Sequence, residues 1–503
     1  MEDKKIDISD IDLNLLREIP YKYQKNNKIL IYKREEDKIL ALISDDNGIF
    51  ALRDFSKRLG ISFDYIRKDE SEIFALLNEA YSLVSSAKTV MGEIEEEGLT
   101  GLTQYGELPK DLLELKDDAP IIKLLNALFL EAVKERASDI HIEPYERELE
   151  VRFRVDGILR KVLSPPKIIH ESLISRIKVI ANLDIAEKRL PQDGRIRLIV
   201  GGKDIDIRVS IIPTFFGERA VLRILDRMKG VMSLNELGLE SDKLSDFEKL
   251  ISRSNGIVLV TGPTGSGKTT TLYASLLKIY SEEKNIITIE DPVEYQIKGI
   301  AQIQVNPKIN LTFAAGLRSI LRQDPDIVMI GEIRDRETAE IAVQASLTGH
   351  LVLSTLHTND SASAVTRLVD MEIEPFLVAS SLTGVLAQRL LRKLCPYCKQ
   401  KVPLKEDFKK IIPEISNLDY VYKGEGCKEC NGKGYLGRTG IYELLVIDEE
   451  IKEQIMLKSD ARTIKQLAMK KGMTTLFSDG IQKVKDGITT MEEVLRVTNI
   501  GEM

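Results

Sequence analysis

The chain has 503 residues, a formal net charge of −7 and no tryptophan; that is too long for one core and suggests about three domains of roughly 150 residues each. The start, Met1-Glu2-Asp3-Lys4-Lys5-Ile6-Asp7, has no apolar signal core, and no apolar run approaches the ~18 residues of a membrane span, so a soluble, cytoplasmic protein is expected. The acidic balance excludes the global basic signature of a nucleic-acid binder and leaves room only for a local basic groove.

Residues 1–85 read as a small α/β module. Lys28 to Lys33 and Ile39 to Ser44 form short apolar strands around the turn Glu35-Glu36-Asp37, and Glu70 to Val84 has the helical spacing Ile73, Leu76, Leu77, Tyr81. Residues 86–118 hold nine Asp or Glu against three Lys, broken by glycines and Pro109, and read as a flexible acidic linker. From Ile121 the apolar residues Ile122, Leu125, Phe129 and Val133 predict a helix. A strictly alternating strand follows, Leu149 to Val155, closed by the hairpin pair Asp156-Gly157. Val151 and Phe153 then face a core while Arg152 and Arg154 face the other way, within a second α/β domain ending near Asp226.

Residues 235 to about 390 alternate strands and helices, as a parallel-sheet nucleotide-binding domain does. The apolar run Ile257 to Val260 leads into Gly262, Pro263, Thr264, Gly265, Ser266, Gly267, Lys268, Thr269 and Thr270, a P-loop in the required strand, Gly-rich loop and helix setting. Glycines let backbone N–H groups converge on phosphate at a helix N-terminus. Lys268 is expected to reach the β- and γ-phosphates of ATP, and Thr269 to ligate Mg²⁺.

The strand Ile286 to Ile289 runs into Glu290, Asp291 and Glu294, three carboxylates of which one can orient an attacking water. The strand Ile327 to Ile330 runs into Gly331-Glu332, a Walker-B-like element with Glu332 expected in the Mg²⁺ shell. A third strand, Leu351 to Thr355, is bracketed by His350 and His357, two of the four histidines of the chain, and a phosphate-sensing role is weighed there against a structural one. Arg195 and Arg208 are candidates for stabilising charge on the transferred phosphoryl group, although residue type alone equally describes surface salt bridges. All four cysteines fall in two CxxC pairs, Cys395/Cys398 and Cys427/Cys430, with 28 residues between them. A closed tetracysteine Zn²⁺ site suits that spacing and a reducing compartment. A last helix is expected from the capping box Thr490-x-x-Glu493.

Taken together, Gly262 to Thr270, the acidic box Thr288 to Glu294, Gly331 to Asp335 and the segment Thr348 to Asn359 resemble the four signature boxes of the secretion ATPase superfamily. Ala137 to Glu143, Pro191 to Arg195, Val343 to Leu347 and the tetracysteine insertion resemble, within it, the assembly ATPases of type II secretion and type IV pili. The likeness covers about residue 118 to the end. It implies a RecA-like P-loop ATPase domain (235–390) preceded by a small α/β, PAS-like domain (119–230) and the N-terminal partner-docking module (1–85), then a zinc subdomain (391–440) and a helical C-terminal part (441–503).

The resemblance further implies a cytoplasmic homohexamer, peripheral at the inner membrane beneath a platform protein, using ATP for pseudopilus or pilus assembly. In type II secretion, which the single compact N-terminal module and the length favour, that module contacts the cytoplasmic domain of a bitopic membrane protein. By position, Glu294 becomes the general base, Glu332 the Walker B carboxylate, Arg195 and Arg208 phosphate-contacting arginines, and His350 and His357 site residues. A RecA-type nucleic-acid translocase stays open as an alternative and needs a basic groove with stacking aromatics, of which no cluster stands out; a nucleotide-gated scaffold would lack a water-positioning carboxylate.

Overall fold

The computed structural model describes residues 10–84 except 13, 14, 17, 18, 20, 36 and 37; residue 91; residues 120–226 except 201 and 202; and residues 232–498 except 406, 407, 410, 411 and 417. The expected acidic linker therefore lies, apart from Met91, outside the described residues. The chain divides into two compact units, residues 1–229 and 230–503.

The first unit begins with a three-stranded sheet of order β1-β2-β3, from Ile29–Glu35, Lys38–Ile43 and Ser62–Arg67. The first pair is the expected hairpin. A helix not anticipated above, Asp46–Leu59, lets β3 return parallel to β2; the Asp45 carboxylate caps its start and Gly60, at φ 69°, ends it. The helix Glu70–Val84 forms as its spacing predicts.

A six-stranded antiparallel sheet follows, of order β6-β5-β4-β9-β8-β7, built from β4 Asp139–Pro144, β5 Leu149–Val155, β6 Ile158–Leu163, β7 Gln192–Val200, β8 Lys203–Thr214 and β9 Gly217–Asp226. The alternation along β5 is realised. Leu149, Val151, Phe153 and Val155 enter the core with the helices Pro120–Lys134 and His170–Ile180. On the other face Arg152 pairs with Glu143 at 2.5 Å and Arg154 with Asp139 at 3.6 Å. Asp156 and Gly157 both take positive φ, 50° and 85°, as a tight hairpin turn demands.

The second unit is organised on a seven-stranded sheet of order β12-β11-β13-β14-β10-β15-β18. Its strands are β10 Gly256–Thr261, β11 Ile286–Glu290, β12 Ala301–Gln304, β13 Ile327–Ile330, β14 Leu351–Leu356, β15 Leu382–Leu394 and β18 Tyr435–Val446. All neighbours are parallel except β15 and β18. The central strands are apolar on both faces because both are covered: Ile257 and Leu259 join one core, Val258 and Val260 the other.

β15 and β18 are the longest strands of this sheet and overrun it as a two-stranded ribbon that carries the β16 Lys399–Pro403 and β17 Tyr420–Gly424 hairpin. The boundaries expected at 390/391 and 440/441 therefore cut through strands. Residues 441–446 are sheet, not helical tail, because β18 completes the edge beside β15. At the last helix, Met491–Thr498, only half of the capping box forms: Thr490 Oγ1 accepts the Glu493 N–H at 3.2 Å, but the Glu493 carboxylate turns to Arg392 and Arg496.

Candidate functional site

Parallel pairing aligns the C-terminal ends of four strands on one edge, with Thr261 opposite Leu356, Ile289 opposite Ile330 and Ile330 opposite Ser354. The P-loop, the acidic box, Glu332 and His357 leave the sheet from that edge, where α/β sheets hold ligands.

The glycines of the P-loop are imposed by its neighbours. At Gly262, φ 150°, a Cβ would lie 2.5 Å from the Gln388 carbonyl oxygen; at Gly267, φ 90°, it would lie 2.8 Å from Gln388 Nε2. Gln388, on β15, also accepts the Thr271 hydroxyl at 2.7 Å, so it braces both loop and helix. Gly265, at the loop tip, faces open space. The helix Lys268–Ile279 starts directly after Gly267.

Lys268 is buried, and its Nζ donates to the loop's own carbonyls, Gly262 O at 2.8 Å and Pro263 O at 3.2 Å. Burial pushes this ammonium down to about 8, against the pull of the Glu332 carboxylate, with the Arg389 charge adding to the fall. Ser266 Oγ is buried with no hydrogen-bond partner, a cost that a phosphate oxygen relieves. Pro263, Thr264, Thr269 and Thr270 are exposed around it. An orphaned hydroxyl, an open cradle and a poised cation fit a nucleotide phosphate.

Glu332, 13% exposed at its side chain, bonds to Arg334 and accepts from His357 Nε2 at 3.2 Å. The Thr358 N–H and hydroxyl meet Thr261 Oγ1 at 3.0 and 2.7 Å, so the loop after β14 is sewn to the strand that feeds the P-loop. Thr269 and Glu332 are hard oxygen donors and fit Mg²⁺. Arg389 extends this wall: its Nη2 donates to Asn359 O at 3.2 Å and Oδ1 at 3.1 Å, and burial lowers its guanidinium from the ordinary range.

His350 does not join this group. It precedes β14 at the opposite sheet edge, where its carbonyl accepts the Gly256 N–H at 3.2 Å and its Nδ1 lies 2.8 Å from Ala345 O. A histidine at each end of one strand cannot serve one site, since six strand residues span roughly 20 Å; contrary to expectation, His350 lies outside the phosphate site. Glu290 is likewise set apart from catalysis, buried and bonded by Tyr273, Thr288 and Gln302. Glu294 is half-buried in the loop beyond it.

In the first unit Arg195 and Arg208 are direct partners across β7 and β8 and share one face of the sheet. The Arg195 guanidinium is gripped in bidentate fashion by Asp206, its Nε to Oδ1 at 2.6 Å, and Asp206 is 1% exposed. That pair raises the guanidinium further and fixes its direction. Asp206, Gln388 and Arg389 carried no signal in the sequence, because strand pairing alone brings them to their partners.

The four cysteines converge. Sγ separations are 3.7 Å for Cys395–Cys427, 3.8 Å for Cys398–Cys430 and 3.7 Å for Cys427–Cys430, and all four Sγ lie within 4.8 Å of one another. The edge of a tetrahedron with Zn–S of about 2.3 Å is roughly 3.8 Å, so the cluster fits Zn²⁺. Burial raises the Cys430 thiol, but the N–H groups of Cys427 and Gly434, both 3.2 Å from its sulfur, outweigh it and bring the thiol down to about 6. Gly424 and Gly434 let two backbone segments meet here: a Cβ on Gly424 would fall 2.1 Å from Gly434 O.

Comparisons with known proteins agree with this geometry. Residues 114–496 match the family described as Type II/IV secretion system protein. The type II secretion system ATPase E of Vibrio cholerae serotype O1 is 48% identical over 500 residues, 98% of either chain. The type IV pilus assembly ATPase PilB of Myxococcus xanthus is 42% identical over 492 residues, covering 97% of this chain and 87% of PilB. Among solved structures, the pilus retraction motor PilT with bound ADP is similar at 26% identity and a TM-score of 0.52, covering 73% of this chain and 95% of PilT. With a match over most of its length and a full-length relative at this identity, the chain belongs to the Type II/IV secretion system protein family, among its ATPases.

Proposed function

We propose that the protein is a ring-forming motor, a homohexamer in the cytoplasm at the face of the inner membrane, that hydrolyses ATP to drive pseudopilus assembly and protein export by a type II secretion system. The observation that carries this reading is the phosphate cradle with its orphaned Ser266 hydroxyl, beside the Glu332–His357 pair, in a chain similar end to end to a type II secretion ATPase. Type IV pilus assembly is the second reading, supported by the PilB likeness at lower identity.

In this mechanism the backbone N–H groups of Gly265 to Thr269 bind the phosphates and Lys268 leaves its resting carbonyls for the β- and γ-oxygens. Thr269 and Glu332 would hold Mg²⁺, which when bound neutralises charge on the phosphate oxygens. Glu294 orients water, and His357 holds Glu332 through its Nε2. Arg195, aimed by Asp206, and Arg208 meet the charge that develops on the γ-phosphoryl group. Zn²⁺ held by Cys395, Cys398, Cys427 and Cys430 would be structural, because a closed four-thiolate shell leaves no position for water. Residues 1–85 dock a cytoplasmic domain of a bitopic membrane protein, and a platform protein receives the work.

The test is complementation. In a bacterium lacking its type II secretion ATPase, this chain with its cognate membrane partners should restore export, and the Lys268→Ala chain should not. Restoration of piliation but not export in a strain lacking its pilus-assembly ATPase would select the second reading. DNA-stimulated turnover of the purified protein would contradict both.

A further inference from the structure

The acidic box holds a buried carboxylate whose hydrogen bonds go to neighbouring side chains. Glu290, at the end of β11, is 3% exposed. Its Oε2 accepts the Tyr273 hydroxyl, and its Oε1 accepts Thr288 Oγ1 at 2.6 Å and Gln302 Nε2 at 3.1 Å. A carboxylate bonded this fully has no freedom to turn toward a water at the phosphate. What it does hold is Tyr273, itself 1% exposed and five residues beyond Lys268 on the P-loop helix.

Because the Tyr273 hydroxyl donates to Glu290, its oxygen is free to accept, and it accepts the backbone N–H of Glu294 at 3.2 Å. Gln302 ties the same loop at two further backbone points. Its Nε2 donates to Tyr295 O at 3.0 Å, and its Oε1 accepts the Ile297 N–H at 2.8 Å. The Tyr295 ring meets the Tyr273 ring edge-on, 6.2 Å between centroids at 73°. Burial, and next to it the Glu290 charge, hold the phenol protonated well above its ordinary range, so its donor role is secure.

Burying a carboxylate, a phenol and an amide costs stability unless each satisfies the others. An apolar trio would fill the same space without fixing the loop. We infer that Tyr273, Glu290 and Gln302 form a clamp that references the Glu294 loop to the phosphate-binding helix, and that they are positioning residues for hydrolysis. This rests on Glu294 being the water-orienting group. The helix that binds phosphate thereby sets where the base stands, and a displacement of about 1 Å at the base is enough to cost roughly 10²-fold in rate.

The experiment uses the full chain with Mg²⁺ and ATP, comparing Tyr273→Phe and Gln302→Leu with Glu294→Gln. Readouts are KM and kcat, affinity for a non-hydrolysable ATP analogue, and hydrogen exchange at individual amides. Tyr273→Phe and Gln302→Leu should each lower kcat by about 10- to 100-fold with KM held within about threefold. Exchange should quicken at the Glu294 amide in the first variant and at the Ile297 amide in the second. Gln302 is half-buried, so its variant supplies the same readouts should Tyr273→Phe fold poorly. Full kcat in both variants, beside an inactive Glu294→Gln, would overturn the clamp and leave the base assignment standing. Wild-type hydrolysis by Glu294→Gln would instead remove the base assignment on which the clamp rests.

Discussion

The P-loop and the tetracysteine cluster are both marked by short, regular spacing, but they reach different degrees of completion within their unit. At the cysteines every sulfur has a partner at a tetrahedral distance, and the N–H groups of Cys427 and Gly434 favour the thiolate of Cys430. At the P-loop Ser266 Oγ lacks a partner and Lys268 rests on its own loop. One site is closed by local geometry; the other stays incomplete until a ligand arrives. The first should therefore fail as a loss of fold and the second as a loss of rate.

The largest effect separating them is expected from Lys268→Ala. It should weaken ATP binding and lower turnover at least about 10³-fold, read by analogue binding and phosphate release, with the melting temperature nearly unchanged. Next comes Arg208→Ala, which should keep nucleotide binding and lose roughly 10³-fold in turnover, the order seen for arginine fingers. Near-wild-type turnover would return both arginines to ordinary surface ion pairs.

The cysteines should show the opposite pattern. Purified protein should carry about one zinc per chain by elemental analysis, and Cys395→Ser should lose it and destabilise residues near the ribbon while ATP binding persists. Full thermal stability without metal would break the contrast. A smaller effect tests the same region by pH. Glu493 joins the last helix to β15 through Arg392, and Arg496 on the same helix also donates to it. Burial raises its carboxyl, but those two arginines more than reverse this and hold it down at about 2, well below the ordinary carboxylate range. A depressed native pKa adds stability above the unfolded value, and that stability is lost as pH falls through the folded one. The stability gap between wild type and Glu493→Gln should thus be full near pH 5 and shrink toward pH 2. The smallest effect belongs to His350: His350→Asn should change turnover less than about threefold, while His357→Ala, which removes a donor to Glu332, should cost roughly 10-fold or more.

Those histidines show where the sequence is legible and where it stops. A motif whose atoms come from one turn is readable: the glycines of the P-loop, the CxxC pairs, and the positive-φ pair Asp156-Gly157. The alternation of β5 was readable too, down to the outward arginines. What strand pairing assembles was not. Gln388 reaches the P-loop only because β10 and β15 are neighbours, Asp206 grips Arg195 across a hairpin, and Gln302 returns to β11 from an edge strand. The domain boundaries slipped for the same reason, since β15 and β18 run unbroken from the sheet into the zinc ribbon. His350 was readable in principle, because residues at opposite ends of one strand face opposite edges of its sheet.

Single-turnover hydrolysis measured beside ATP binding for Glu294→Gln and Glu332→Gln tests the division of labour among the carboxylates most directly. Glu294→Gln should bind ATP normally and accumulate in the ATP-loaded state with hydrolysis nearly stopped, while Glu332→Gln should chiefly raise the Mg²⁺ concentration required. Wild-type single-turnover hydrolysis by Glu294→Gln would contradict it, and with Glu290 bonded out of reach would move the base to Asp291.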